Sequence, residues 1–429
     1  MLVFRWLTLS AILCFSAVLN AETGLPEKLS FKQAMKIVDQ ANYYEALLAK
    51  AEFDSVAADL LSISGLNDFN IDAVALAQYV EASETAASSS NEDHKLAITL
   101  KKTLLDFGYS EAKQQSVESR QNAMQLLMKQ IRLNKRIEVS RKFFNIKLAD
   151  MKFAADNEAI ATAYVKFRKT KDRNELKQSS DVDLLKAQFE YQQVRARRYE
   201  SQTLKEVSRA DFSKSIAKPK SLPEEVVIPG FSFLDRKRPE YETVLNLVLQ
   251  NNLQLQAQKM LVEAANHELA ASRKKGGSTL SSEIEWAEYS YETPSKNNWR
   301  AALKLSIPLY ENDSVKSLRA SALADLQKQR VRLHQLEADI RQQSYELWQR
   351  LYVLKAKQDV DEIAEEYREL YQDRSRAYYE MEFRTDLGDS FVRVSEAKLE
   401  KYKNNFELVM TWMKIAMLTG VTLEEYMLQ

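Results

Sequence analysis

The chain has 429 residues with 61 basic and 61 acidic side chains, so its formal charge is zero and composition gives no electrostatic reason to expect nucleic acid. Hydrophobic residues make up 45%, enough for a core, while charged residues at 28% require a large wetted surface. The one cysteine, Cys14, excludes an internal disulfide or a cysteine metal centre.

Residues 1–21 read as a signal peptide. Arg5 supplies the positive start, "WLTLSAILCFSAVL" the apolar run, and "LNA" a cleavage point after Ala21. Cys14 is either filler discarded with that run or a lipid-attachment site, although Leu13 before it is not the small residue that lipidation requires. No later stretch has the ~20 uninterrupted apolar residues of a spanning helix.

A first repeat is expected over 22–216. It opens with a helix near 29–63, followed by strands at about 70–80 and 95–107 around the polar loop "ETAASSSNEDH". A long helix then runs from about 110 to 176, and a second from 181 to 216. Between Gly108 and Pro219 there is no Gly or Pro, and the interval is rich in Ala, Leu, Lys, Glu, Gln and Arg, the residues that lose least on entering a helix. The Pro-rich segment 217–239 reads as a linker.

The second repeat, 240–429, has the same order: a helix near 240–272, strands at about 280–292 and 298–308, a long helix at 314–383 and a closing helix near 390–419. "ITLKKTLLDFGYSEAK" (98–113) lies over "LKLSIPLYENDSVKS" (303–317), with Leu100 on Leu305 and Leu104 on Leu309. Phe31 falls on Tyr241, and Ala187 on Ala397. Leu336, Ile340, Leu347 and Leu354 follow heptad spacing, as do Tyr402, Phe406, Val409, Met413 and Ala416, which predicts helix-packing seams.

The strands alternate. Trp299, Ala301, Leu303, Leu305 and Ile307 share one face; Arg300, Ala302, Lys304 and Ser306 share the other; Leu96, Ile98 and Leu100 line one face in the first repeat. At 1.5 Å per residue each long helix reaches roughly 100 Å, and the shorter helices, about 50 Å each, match it when stacked end to end, 181–216 with 240–272 and 390–419 with 29–63. The expected fold is therefore mainly α with a small β part. It is a two-fold repeat of long antiparallel helical hairpins, about 110–216 and 314–420, with all four strands at one end. A rod with apolar seams on several sides should associate with copies of itself.

On these features the sequence resembles the TolC family of outer-membrane channels, over almost the whole chain after the leader. "RKRPE" (236–240) is similar to the family's element opening the second repeat, and "LGDSFVRVSEAKLEKYKNNFELVMTWMKIAMLTG" (387–420) to its closing helix. The resemblance implies a homotrimer whose chains each give four strands to a twelve-stranded barrel in outer-membrane lipid, with the helices walling an α-barrel across the periplasm. It implies a passive duct for efflux or type I secretion, served by a periplasmic adaptor (a membrane fusion protein) and an inner-membrane pump. Trp286, Tyr289, Tyr291 and Trp299 are then membrane-interface aromatics; ordinary packing across a soluble sheet is the other reading.

The helical tips carry the remaining polar clusters: Asp181 and Asp183 at one, and Arg384, Asp386, Asp389, Arg393 and Glu396 at the other. The resemblance makes these candidates for a periplasmic gate, with Asp183 at an acidic family position and Arg393 and Glu396 at the matching places in the second repeat. Several also suit capping of helix starts, and the two roles are compatible. His94, His267 and His334 have no metal-ligand spacing, no catalytic constellation is present, and no cofactor is expected. The alternative to a channel is a periplasmic coiled-coil adaptor that does not span the membrane.

Overall fold

A computed structural model describes residues 26–79, 92–218, 223–230, 232–290, 297–310, 313–381 and 387–428. The leader, Tyr291, Arg384 and Asp386 lie outside these described residues. In chain order the elements are β1 (Lys28–Ser30), α1 (Phe31–Gln40), α2 (Tyr44–Ser64), β2 (Phe69–Leu76), β3 (Lys95–Leu105), α3 (Tyr109–Glu175) and α4 (Asp181–Ser215). After β4 (Glu225–Val227) come α5 (Tyr241–Asn251), α6 (Leu253–Lys274), β5 (Thr279–Tyr289), β6 (Trp299–Ser306), α7 (Asp313–Glu380), α8 (Leu387–Leu418) and α9 (Leu423–Leu428).

The two long helices follow from the absence of breakers. α3 has 67 residues and α7 has 68, each about 100 Å long. At the start of α3, Gly108 takes a left-handed φ of 86°, and the Asp106 carboxylate accepts the backbone N–H groups of Gly108 and Ser110 at 3.0 and 2.8 Å. The end of α3 is set by Lys177 at φ 57° and by Ser180, whose hydroxyl accepts the Asp183 N–H at 3.1 Å as the N-cap of α4.

Side by side, the helices run in the order α4, α3, α8, α7 in one half of the molecule and α2, α3, α6, α7 in the other. α3 has neighbours on both sides throughout, and α4 and α7 are the outer helices of the first row. The short helices stack end to end as the lengths require, but with exchanged partners: α4 continues in line with α2 and α8 in line with α6, because α8 and α6 both fill the space between α3 and α7, and the helices carry two breaks. Residues 41–43 separate α1 from α2, and Asn252 separates α5 from α6 within the predicted helix at 240–272. The Asn252 carboxamide accepts the Leu255 N–H at 2.9 Å and donates to the Leu418 carbonyl at 3.0 Å, which ties the break to the end of α8.

Two apolar clusters cross the middle of the helices. In one, Phe144 stacks between Phe31 (5.4 Å) and Phe406 (4.4 Å), while Phe143 meets Phe212 edge-on at 6.0 Å. In the other, Val244, Ile340, Leu351, Leu354 and Trp412 are buried together. The segment 217–239 is more than a linker. β4 pairs in parallel with β1, Leu29 opposite Val226, and Arg209 donates to both Asp150 oxygens at 2.8 and 2.9 Å and to the carbonyls of Pro223 and Glu224 at 3.0 and 2.9 Å.

Candidate functional site

The four long strands form one antiparallel sheet in the order β2-β3-β5-β6, so the two repeats join at the β3–β5 pair and β2 and β6 are the edges. The register sorts every side chain onto a face. Ala73, Ile98, Trp286 and Trp299 form one row; Ile71, Leu100, Ile284 and Ala301 form the next. On the opposite face lie Asp72, Thr99, Glu285 and Arg300, then Asn70, Lys101, Glu283 and Ala302.

The apolar face lacks the cover that a water-soluble sheet needs. The apolar face is open, with Ile98 46%, Trp286 49%, Trp299 69% and Leu303 73% exposed, whereas Ala97 and Ala287 on the polar face are 2% and 0% exposed. The polar face covers its own small residues. Lys95 Nζ reaches Glu285 Oε1 at 3.0 Å, diagonally across the Ala97–Ala287 pair, and Arg300 donates to Glu283 at 2.8 Å. The apolar face has one cation, Lys102, whose ammonium lies 4.3 Å from the centre of the Phe69 ring.

Of the four candidate interface aromatics, Trp286 and Trp299 sit directly opposite each other on the apolar face. Tyr289 does not join them. It pairs with Lys95 and so faces the polar side, with the Lys95 ammonium 5.8 Å from its ring. The parity of the numbers contains that result, since 286 and 289 differ by an odd step. Tyr291 is outside the described residues. Where the sheet meets the long helices, Phe107, Leu309 and Tyr310 are also exposed, and Phe107 holds a left-handed φ of 53°. Their neighbourhood in the repeat alignment, which already set Leu104 on Leu309, was the available signal for these exposed apolar side chains.

At the tips, Asp183 is committed to capping. Its carboxylate accepts the Ser180 hydroxyl at 2.7 Å and the Ser180 N–H at 3.3 Å, and the hydroxyl contact first, then the backbone one, holds its pKa below the usual carboxylate value. Asp181 accepts from the Asn174 carboxamide at 3.0 Å. Asp389, Arg393 and Glu396 are exposed on the first turns of α8, and Ser395 beside them donates to Glu158 of α3 at 2.6 Å. Gly388 lets α8 approach α3 closely, because a Cβ there would lie 2.8 Å from the Thr162 hydroxyl. The two tip clusters therefore lie on adjoining hairpins, while Arg384 and Asp386 fall outside the described residues.

Among the described residues, no helix is long and apolar enough to cross a membrane, and no group of His, Cys, Asp or Glu is placed to hold a metal ion. No family profile and no curated protein matches the sequence. Solved structures do match. The CmeC outer membrane channel of Campylobacter jejuni aligns at a TM-score of 0.74 with 13% identity, covering 91% of this chain and 85% of its own. The open state of the MtrE outer membrane channel of Neisseria gonorrhoeae aligns at 0.72 with 14% identity, covering 92% and 89%. The outer membrane protein VceC of Vibrio cholerae aligns at 0.71 with 13% identity, covering 92% and 96%. From β1 to α9, the chain has the fold of the TolC-type outer-membrane channels.

Proposed function

We propose that this chain is the outer-membrane duct of an export system, a passive channel that crosses the outer membrane as a β-barrel and continues through the periplasm as a helical tube. The observation that carries the reading is the four-stranded sheet, with its open apolar face, salt-bridged polar face and two unpaired edges. Lipid covers such a face, and barrel closure removes such edges. Pairing β6 of one copy with β2 of the next closes twelve strands from three chains.

The helices support the same closure. On α7, Val353, Val360 and Tyr367 step by seven, as do Ile363 and Leu370, and all five are exposed. On α4, Val182, Leu185 and Phe189 have the same spacing and are also exposed. These outer helices would meet in a homotrimer as α7 of one copy against α4 of the next. The duct would be served by a periplasmic adaptor and an inner-membrane pump acting at the tips, with Asp181, Asp183, Arg384, Asp386, Asp389, Arg393 and Glu396 as gate candidates. The test is the native mass of the protein extracted from membranes in mild detergent. A detergent-dependent trimer is expected; a monomer or dimer soluble without detergent refutes the channel and leaves the adaptor.

A further inference from the structure

A groove of about 820 Å³ runs along α8 between α3 and α7, a volume suited to a small organic ligand. Its floor is apolar, made by Phe144, Leu148, Leu347, Phe406, Met410 and Met417. β1, β4, α1, α5 and α9 contribute nothing to its lining and cover the other side of these helices, so the groove opens on the side they leave bare. α8 lies between α3 and α7, which keeps the groove away from the open seams of α4 and α7 where a neighbouring copy would pack.

Its rim is cationic. Arg350 is paired with Glu407, and Lys403 with Glu400 at 3.4 Å. Arg141 on α3 and Lys414 on α8 have no ion-pair partner among the described residues, and the one further acid on the rim, Glu346, accepts from Gln342 at 2.8 Å. Two unpaired cations above an apolar floor complement a molecule with a flat or branched hydrocarbon body and one anionic group. The thioethers of Met410 and Met417 adapt to bodies of different shape.

We propose that this groove binds amphipathic organic anions, a carboxylate or sulfonate on a hydrophobic body, held at the charged end by Arg141 and Lys414. The inference rests on the channel reading for its meaning, since a groove bare on the inner wall of a duct is a station for its cargo. Its chemistry is testable without that reading. The full-length protein in maltoside micelles is titrated calorimetrically with naphthalene-1-sulfonate, with neutral naphthalene-1-methanol and with the 1-naphthylmethylammonium cation, and micelles alone serve as the blank.

The sulfonate is expected to saturate at one site per chain and to bind at least tenfold more tightly than either analogue. Arg141→Gln with Lys414→Gln should lose that preference, and Glu346→Gln should strengthen sulfonate binding. Three probes of equal affinity, or an anion preference unchanged in the double variant, overturns the inference. The native mass of the same sample separates the two ideas. A trimer without anion preference leaves the channel and removes the site, whereas a saturable anion site on a monomer keeps the site and removes the channel.

Discussion

Replacing Leu303 with arginine measures what covers the apolar face of the sheet. Leu303 is exposed on that face, and from Trp299 to Leu303 a strand rising about 3.3 Å per residue at a tilt of ~40° descends on the order of 10 Å. That places Leu303 near the middle of a band about 25 Å tall. Arginine at the midplane of a barrel costs about 2–4 kcal/mol per chain, which for three copies is about 6–12 kcal/mol per barrel. On a sheet bathed in water, the same change at so exposed a position costs within about 0.5 kcal/mol. Ala302→Arg is the control, because Ala302 faces the polar side opposite Glu283, where Arg300 already finds a partner. Urea unfolding of the protein in lipid vesicles, followed by tryptophan emission, gives both values. Leu303→Arg should lose at least about 2 kcal/mol per chain and Ala302→Arg almost nothing. Equal losses for the two variants refute the assignment of the apolar face to lipid.

Three further outcomes are expected. Arg209→Met leaves Asp150 and the carbonyls of Pro223 and Glu224 without their donor, and should cost about 3 kcal/mol, with the 223–228 backbone becoming the first amides to exchange. Ser180→Ala removes the N-cap of α4 and should cost about 1 kcal/mol, read as faster exchange of the Asp183 amide with α3 unaffected. At Asp361, burial chiefly, with Glu400 also contributing, raises the carboxyl pKa. An acid with a raised folded pKa contributes stability that is lost as pH rises through that value. Asp361→Asn should therefore melt higher than the native protein at pH 8, with the gap closing toward pH 4; a gap that widens at acid pH contradicts this.

The sequence discloses regular structure wherever a local pattern carries it. The long interval without Gly or Pro fixes α3, and alternation fixes which residues of β6 share a face. What it conceals depends on partners far away along the chain. β1 and β4 have three residues each and no alternation of their own; they become strands because Leu29 and Val226 meet between buried aromatic rings. The break at Asn252 reads locally as one more polar helix residue, and its reason is the Leu418 carbonyl at the far end of the chain. The same limit governs the candidate site. A cap at the start of α4 and, by parity, the separate face of Tyr289 are legible in the sequence, whereas the share Asp183 takes in that cap and the pairing of Trp286 with Trp299 need the fold and the register. The groove along α8 draws on three helices separated by up to hundreds of residues, and no motif marks it.

The β3–β5 pairing has a consequence for inheritance. Because the two repeats are zipped together at the centre of the four-stranded sheet, the unpaired edges that this sheet offers are those of β2 and β6. One copy cannot satisfy its own edges, and in a trimeric barrel two copies cannot either. A variant with a blocked β6 edge would then spoil every assembly it enters. Expressed in equal amounts with the native chain, it would leave roughly one barrel in eight free of it. A lesion in a single edge strand should thus act dominantly over an intact second copy of the gene.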